Sequence, residues 1–157
     1  MNLLRTERDT LDGYIPGLDK YLSDIPLLEL EKPGNGMLHK FRELGGPALL
    51  VPAEYEGKGA SMLDAVRIQR AVGSRSPSLA VATTMHHFSV ASLAELAAAR
   101  NGFEWAMLMA IAENSWLLSS GFAEDKPGQH ILTPAMRGVS ADGITVSGVK
   151  KPCSRTW

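Results

Sequence analysis

The sequence predicts a mainly α-helical fold with a short C-terminal β segment, an α+β chain in which the helices come first. Apolar residues recur at helical spacing through about the first 114 positions, and a long alanine-rich run is apolar on almost every side. After position 115 the pattern turns to short alternating runs with a hairpin signal at Asp142-Gly143. The division expected from this shift is 1–114, an all-helical domain, and 115–157, an incomplete β-domain of about three strands.

Leu4, Leu11, Leu18 and Leu22 fall among charged residues at spacings that fit one or two short amphipathic helices, interrupted near Gly13-Tyr14-Ile15-Pro16. "EKPGNG" (31–36) signals a turn, after which Met37, Leu38, Phe41 and Leu44 share one helical face. Gly45-Gly46-Pro47 stops that helix and opens "ELGGPALLVPAEYEGKGAS" (43–61). Glycine and proline mark this stretch as a loop, yet Leu49, Leu50, Val51 and Tyr55 are residues a chain prefers to bury.

Ser61 is placed to cap the next helix, with Asp64 near its positive end, Leu63, Val66, Ile68, Ala71 and Val72 as apolar positions, and Arg67, Gln69 and Arg70 as wet ones. Ser76-Pro77-Ser78 separates it from the run 78–99, whose lack of a wide polar face predicts a central helix. Asn101-Gly102 breaks the chain before another apolar helix from Phe103 to Ala112, carrying Trp105, Met107, Leu108 and Ile111. "SWLLSSGFAE" (115–124) has few helix signals, "HILTPAMRGV" (130–139) has a β-like section, and "ITVSGVK" alternates Ile144, Val146 and Val149 against Thr145 and Ser147. Three strands are near the minimum for a stable sheet, so completion of this region by further chain is expected.

With 157 residues, 45% hydrophobic and 21% charged, the chain can build one real core without a staple. Its 16 basic and 17 acidic residues leave a net charge of −1, so no basic field exists to hold nucleic acid or an anionic membrane. Neither a signal peptide nor an apolar stretch near the roughly 18 residues of a membrane span is visible. A single cysteine, Cys153, excludes an intrachain disulfide framework and fits a cytoplasmic protein.

Candidate reactive groups are few. Glu54 and Glu124 are the acids nearest to motif-like turns, but each reads more simply as a structural carboxylate. His86-His87 is the sharpest polar pair in an apolar helix; with no further ligand at metal spacing, it reads as interior or interface histidines, with Met85 and His86 as candidates to edge a substrate pocket. The glycines of "EYEGKGAS" lack the G-K-[ST] triplet and preceding strand of a phosphate loop, which leaves a structural turn.

The order of these features resembles the N-terminal half of the acyl-CoA dehydrogenase family. "FRELGGPALLVPAEYEGKGASMLDAVRIQRAVGSRSPSLA" (41–80) is similar to that family's helix ending in L-G, V-P-x-E-Y-x-G-x-G turn and following helix. "SSGFAEDKPGQH" (119–130) falls where the family carries Thr-Glu-Pro and Gly-Ser-Asp, keeping only Glu124 and Gly128, and "GVKKPCS" (148–154) has Pro152 where the family has tryptophan, with Ser154 keeping the hydroxyl. The resemblance implies a helical domain followed by the first strands of a β-barrel domain, with FAD as cofactor. Ser120, Phe122, Ala123, Gly128, Gln129, Pro152, Cys153 and Ser154 would line the flavin surface.

It further implies α,β-dehydrogenation of an acyl thioester on coenzyme A or a carrier protein, with the catalytic base in a C-terminal half supplied by a protein partner or a longer chain. Two alternatives stand beside this reading. One is a non-catalytic subunit or remnant that uses the helical domain as a binding surface, and the other is a flavin monooxygenase of the same fold, which needs no such base.

Overall fold

A computed structural model describes residues 3–100, 102–119 and 136–149. The chain divides into two compact units, Met1–Leu118 and Ser119–Trp157. The first unit runs beyond its last helix, which ends at Asn114.

Unit 1 begins with α1 (Arg5–Tyr14) and α2 (Leu18–Ser23), separated by a turn at Gly17, whose positive φ of 81° suits a residue without Cβ. The interruption expected near Gly13–Pro16 lies here. α1 runs along α5 (Met62–Gly73), where the Tyr14 hydroxyl donates to Asp64 Oδ2 at 3.3 Å and Arg70 pairs with Glu7 at 2.8 Å. α3 (Leu27–Leu30) was not signalled by the sequence, because one turn of helix is too short to show a period. Just after it, the Glu31 carboxylate accepts hydrogen bonds from Ser76 Oγ at 2.8 Å, the Ser78 amide at 3.2 Å and the Ser78 hydroxyl, at the start of α6 (Pro77–Ala99). These bonds hold its carboxyl below the usual carboxylate range.

α4 (Met37–Glu43) buries Met37 and Phe41 and leads into the glycine- and proline-rich stretch. That stretch forms two short 3-10 turns, Gly46–Ala48 and Ala53–Tyr55. Its backbone then folds back on itself: Lys58 N–H bonds Ala48 O at 3.0 Å, Gly59 N–H bonds Val51 O at 2.9 Å and Ala60 N–H bonds Leu49 O at 3.0 Å. Because the main chain satisfies its own polar groups, Leu49, Leu50 and Val51 can be buried. Tyr55 is half-buried.

Ser61 and Ser76 are the N-caps of α5 and α6, accepting from Asp64 N–H at 3.1 Å and Leu79 N–H at 3.2 Å. The buried stripe of α5 is Ala65, Ile68, Ala71 and Val72, so Leu63 and Val66, expected inside, are exposed. The small Ala65 turns inward at the spacing that Val66 was expected to fill, because packing against α1 and α6 selects the face. Along α6, Leu79, Thr83, His86, His87 and Val90 are buried, while Val81 and Phe88 are exposed. This helix, expected to be covered all round, keeps one side open in unit 1.

α7 (Glu104–Asn114) contributes Leu108 and Ile111 to the core and leaves Trp105 and Met107 about half exposed. It ends at Ser115, whose carbonyl accepts from Arg42 Nε at 2.9 Å. No helix among the described residues is long and apolar enough to cross a membrane.

In unit 2 the described residues hold two strands, β1 (Arg137–Ser140) and β2 (Ile144–Ser147). They form an antiparallel hairpin in which Arg137 faces Ser147 and Ser140 faces Ile144, with the turn at the Asp142-Gly143 signal. Both strands are exposed on both faces, so the alternation of Ile144 and Val146 does not mark a face buried within the hairpin.

Candidate functional site

The open side of α6 faces α5 across a groove of about 690 Å³. α5 supplies Met62, Ala65, Val66, Gln69 and Arg70, which recur every three or four residues on one helical face. α6 supplies a matching stripe through Ala80, Thr84, His87 and Ala91, flanked by Val81, Phe88, Ser92 and Glu95, and Leu50 of the buried turn adds to the wall. The alanines at 65, 80 and 91 leave space between the helices that larger side chains would fill. Such a concave, mainly apolar surface with a few polar groups is the usual form of a small-molecule site.

Its polar groups are of two kinds. Gln69 is engaged, donating to Thr84 Oγ1 at 2.9 Å and to Ala80 O at 3.3 Å. His87 is not: the residue is only 5% exposed, and neither ring nitrogen has a hydrogen-bond partner. Burial first, and the neighbouring His86 second, lower its pKa to about 3, so the ring is neutral at physiological pH.

His86 has a different role. Fully buried, it lies with Nε2 3.0 Å from Pro47 O, and its Nδ1 accepts from the Leu118 amide at 3.0 Å. Since Nδ1 accepts, the proton is assigned to Nε2, which donates to the Pro47 carbonyl. The side chain thereby ties α6 to the buried turn and to the segment after α7.

Of the sequence-predicted substrate residues, His86 makes this clasp and Met85 is half-buried on α6; neither is part of the groove wall. The residue that does line it, His87, was signalled only as the second member of a histidine pair. The predicted flavin-surface residues Ser120, Phe122, Ala123, Gly128, Gln129, Pro152, Cys153 and Ser154, together with Glu124, lie outside the described residues. Glu54 is exposed in its 3-10 turn. Among the described residues no cluster of His, Cys, Asp and Glu could hold a metal ion.

Comparison with known proteins agrees with the helical architecture. Residues 27–116 match the family described as acyl-CoA dehydrogenase, N-terminal domain. The chain is similar to isobutylamine N-hydroxylase of Streptomyces viridifaciens, 44% identical over 158 residues, which covers 98% of this chain and 42% of that relative. The chain thus spans less than half the length of this relative. No solved structure gives a significant match. The matched helices, the self-paired turn and the strands that follow lead to one conclusion: the chain belongs to the acyl-CoA dehydrogenase family.

Proposed function

We propose that this chain is the N-terminal portion of a flavin-dependent monooxygenase that hydroxylates the nitrogen of a small aliphatic amine. The observation that carries this reading is the 44% identity, across almost the whole chain, to a protein named as an N-hydroxylase of isobutylamine. The groove agrees with it chemically. Its lining is mainly apolar, which suits the alkyl group of a small amine, and its one carboxylate, Glu95, is exposed.

In this reading FAD, or a flavin of the same type, supplies the redox chemistry, and the remaining protein comes from a C-terminal half on the same or a separate polypeptide. One oxygen atom of dioxygen enters the new N–O bond and the other leaves as water, with two electrons and two protons from reduced flavin. The contribution of this chain is a dry apolar wall that binds the alkyl group and keeps water from the nitrogen. A cytoplasmic setting, with its supply of reduced flavin, belongs to the same proposal.

α,β-Dehydrogenation of an acyl-CoA or acyl-carrier-protein thioester is the second reading, favoured by the family match itself. The test is to purify the chain with its C-terminal half and bound flavin, then offer two substrates. Isobutylamine with reduced flavin and oxygen is expected to give a hydroxylamine one oxygen heavier by mass spectrometry. Anaerobic bleaching of the flavin by an acyl-CoA, without hydroxylamine formation, would replace this reading with the second.

A further inference from the structure

A buried polar group without a partner is uncommon enough to require a reason. His87 is such a group, and it lies in the wall of the groove between α5 and α6. On its other sides its ring meets Phe41, with centroids 6.0 Å apart, and His86, at 5.5 Å. Neither contact supplies a hydrogen bond to it.

We infer that the α5–α6 groove binds a primary alkylamine as the uncharged free base, with His87 as the positioning residue that hydrogen-bonds its nitrogen. This rests on the proposed N-hydroxylation and names the form of substrate that it uses. A neutral imidazole has one N–H and one lone pair, which match the lone pair and N–H of a free amine equally well. An alkylammonium offers donors only, and its charge calls for a carboxylate within the site. Among the described residues the titratable groups around His87 do not supply one at depth: His86 is beside it, while Arg70, paired with Glu7, and Glu95 stand exposed at the rim. Both nitrogens of His87 are shielded from bulk solvent, so a ligand engages them after a turn of the ring about χ2.

The free base is also the chemically competent species. Forming an N–O bond uses the nitrogen lone pair, which protonation removes. A site that accepts only the free base therefore delivers the amine ready to react.

The test uses the full chain with 15N-labelled histidine, titrated with isobutylamine between pH 7 and pH 9.5. Alkylammonium groups titrate near pH 10.4, so the apparent affinity is expected to rise about tenfold per pH unit, with the His87 ring signals shifting on binding. His87→Leu is expected to weaken the amine about threefold to tenfold, the worth of one hydrogen bond, and to leave binding of isopentane, its hydrocarbon isostere, unchanged or tighter. His87→Gln should recover part of the amine affinity. A flat pH profile, unmoved ring signals or an equal loss for isopentane would each overturn the inference. The two proposals fail separately. Binding with these signatures but no hydroxylamine sinks the N-hydroxylase reading alone, whereas hydroxylamine formation by His87→Leu with unchanged KM sinks the role of His87 alone.

Discussion

Replacing His86 with leucine tests how much of the helical unit depends on one side chain. Leucine preserves the bulk of the imidazole but strands two backbone groups, the Pro47 carbonyl and the Leu118 amide, each bonded to the ring at 3.0 Å in the native chain. Pro47 is buried and Leu118 partly so, which limits rescue by water. A backbone group left unpaired in the interior costs about 1–3 kcal/mol, so the two together cost about 3 kcal/mol, part of it recovered at Leu118 by solvent. With a urea dependence of roughly 2 kcal/mol per molar, the midpoint should fall by about 1.5 M. Circular dichroism during urea unfolding measures it, and faster hydrogen exchange at the Leu118 amide locates the effect. A loss under about 1 kcal/mol, or an unchanged Leu118 exchange rate, would refute the clasp.

Three further outcomes follow from other contacts. The pKa of His87 is depressed in the folded chain, to about 3, below its ordinary 6.5; the unfolded chain binds the extra proton first as pH falls. Its contribution is therefore complete above pH 6.5 and is lost progressively toward pH 3, by about 2 kcal/mol at pH 5, and His87→Leu should flatten that part of the stability profile measured by urea titration at several pH values. Glu31→Ala removes the acceptor for Ser76 and Ser78 at the start of α6 and should cost about 1–2 kcal/mol in thermal or chemical unfolding; a neutral result would show that solvent replaces it. Gly57→Ala would place a Cβ on the Val51 carbonyl, a backbone group that cannot swing aside, and should destabilise by about 3 kcal/mol, whereas Gly13→Ala, with open space around it, should cost nothing at the same assay.

The helices were legible wherever their ends carry their own chemistry. Ser61 announced α5 because a hydroxyl at the N-cap satisfies an amide that the helix cannot; Ser76, read only as part of the Ser76-Pro77-Ser78 break, does the same for α6. Asp142-Gly143 announced the hairpin for a similarly local reason. Burial was less legible where several faces of a helix look alike. Leu63 and Val66 are apolar enough for a core, and only the position of α1 and α6 shows that Ala65 points inward instead. The groove is in that respect a tertiary property: its alanines and valines occur in two helices separated by a turn, and nothing in either stretch says that they face each other. His86 and His87 differ by one position, which on a helix is a rotation of about 100°, enough to separate a structural residue from a groove residue. The sequence read them as one pair for want of that angle.

The clasp made by His86 also fixes where the helical unit can be cut. Its last helix stops at Asn114, but the Leu118 amide, beyond that helix, still bonds into the interior. A shortened polypeptide ending with the helix would lose the Leu118 amide that donates to the His86 ring, together with the Leu117 and Leu118 side chains packed on the core; one that keeps Leu118 would retain them. For dissection of this protein, the natural seam is set by a histidine thirty-two positions upstream, not by the end of the visible secondary structure.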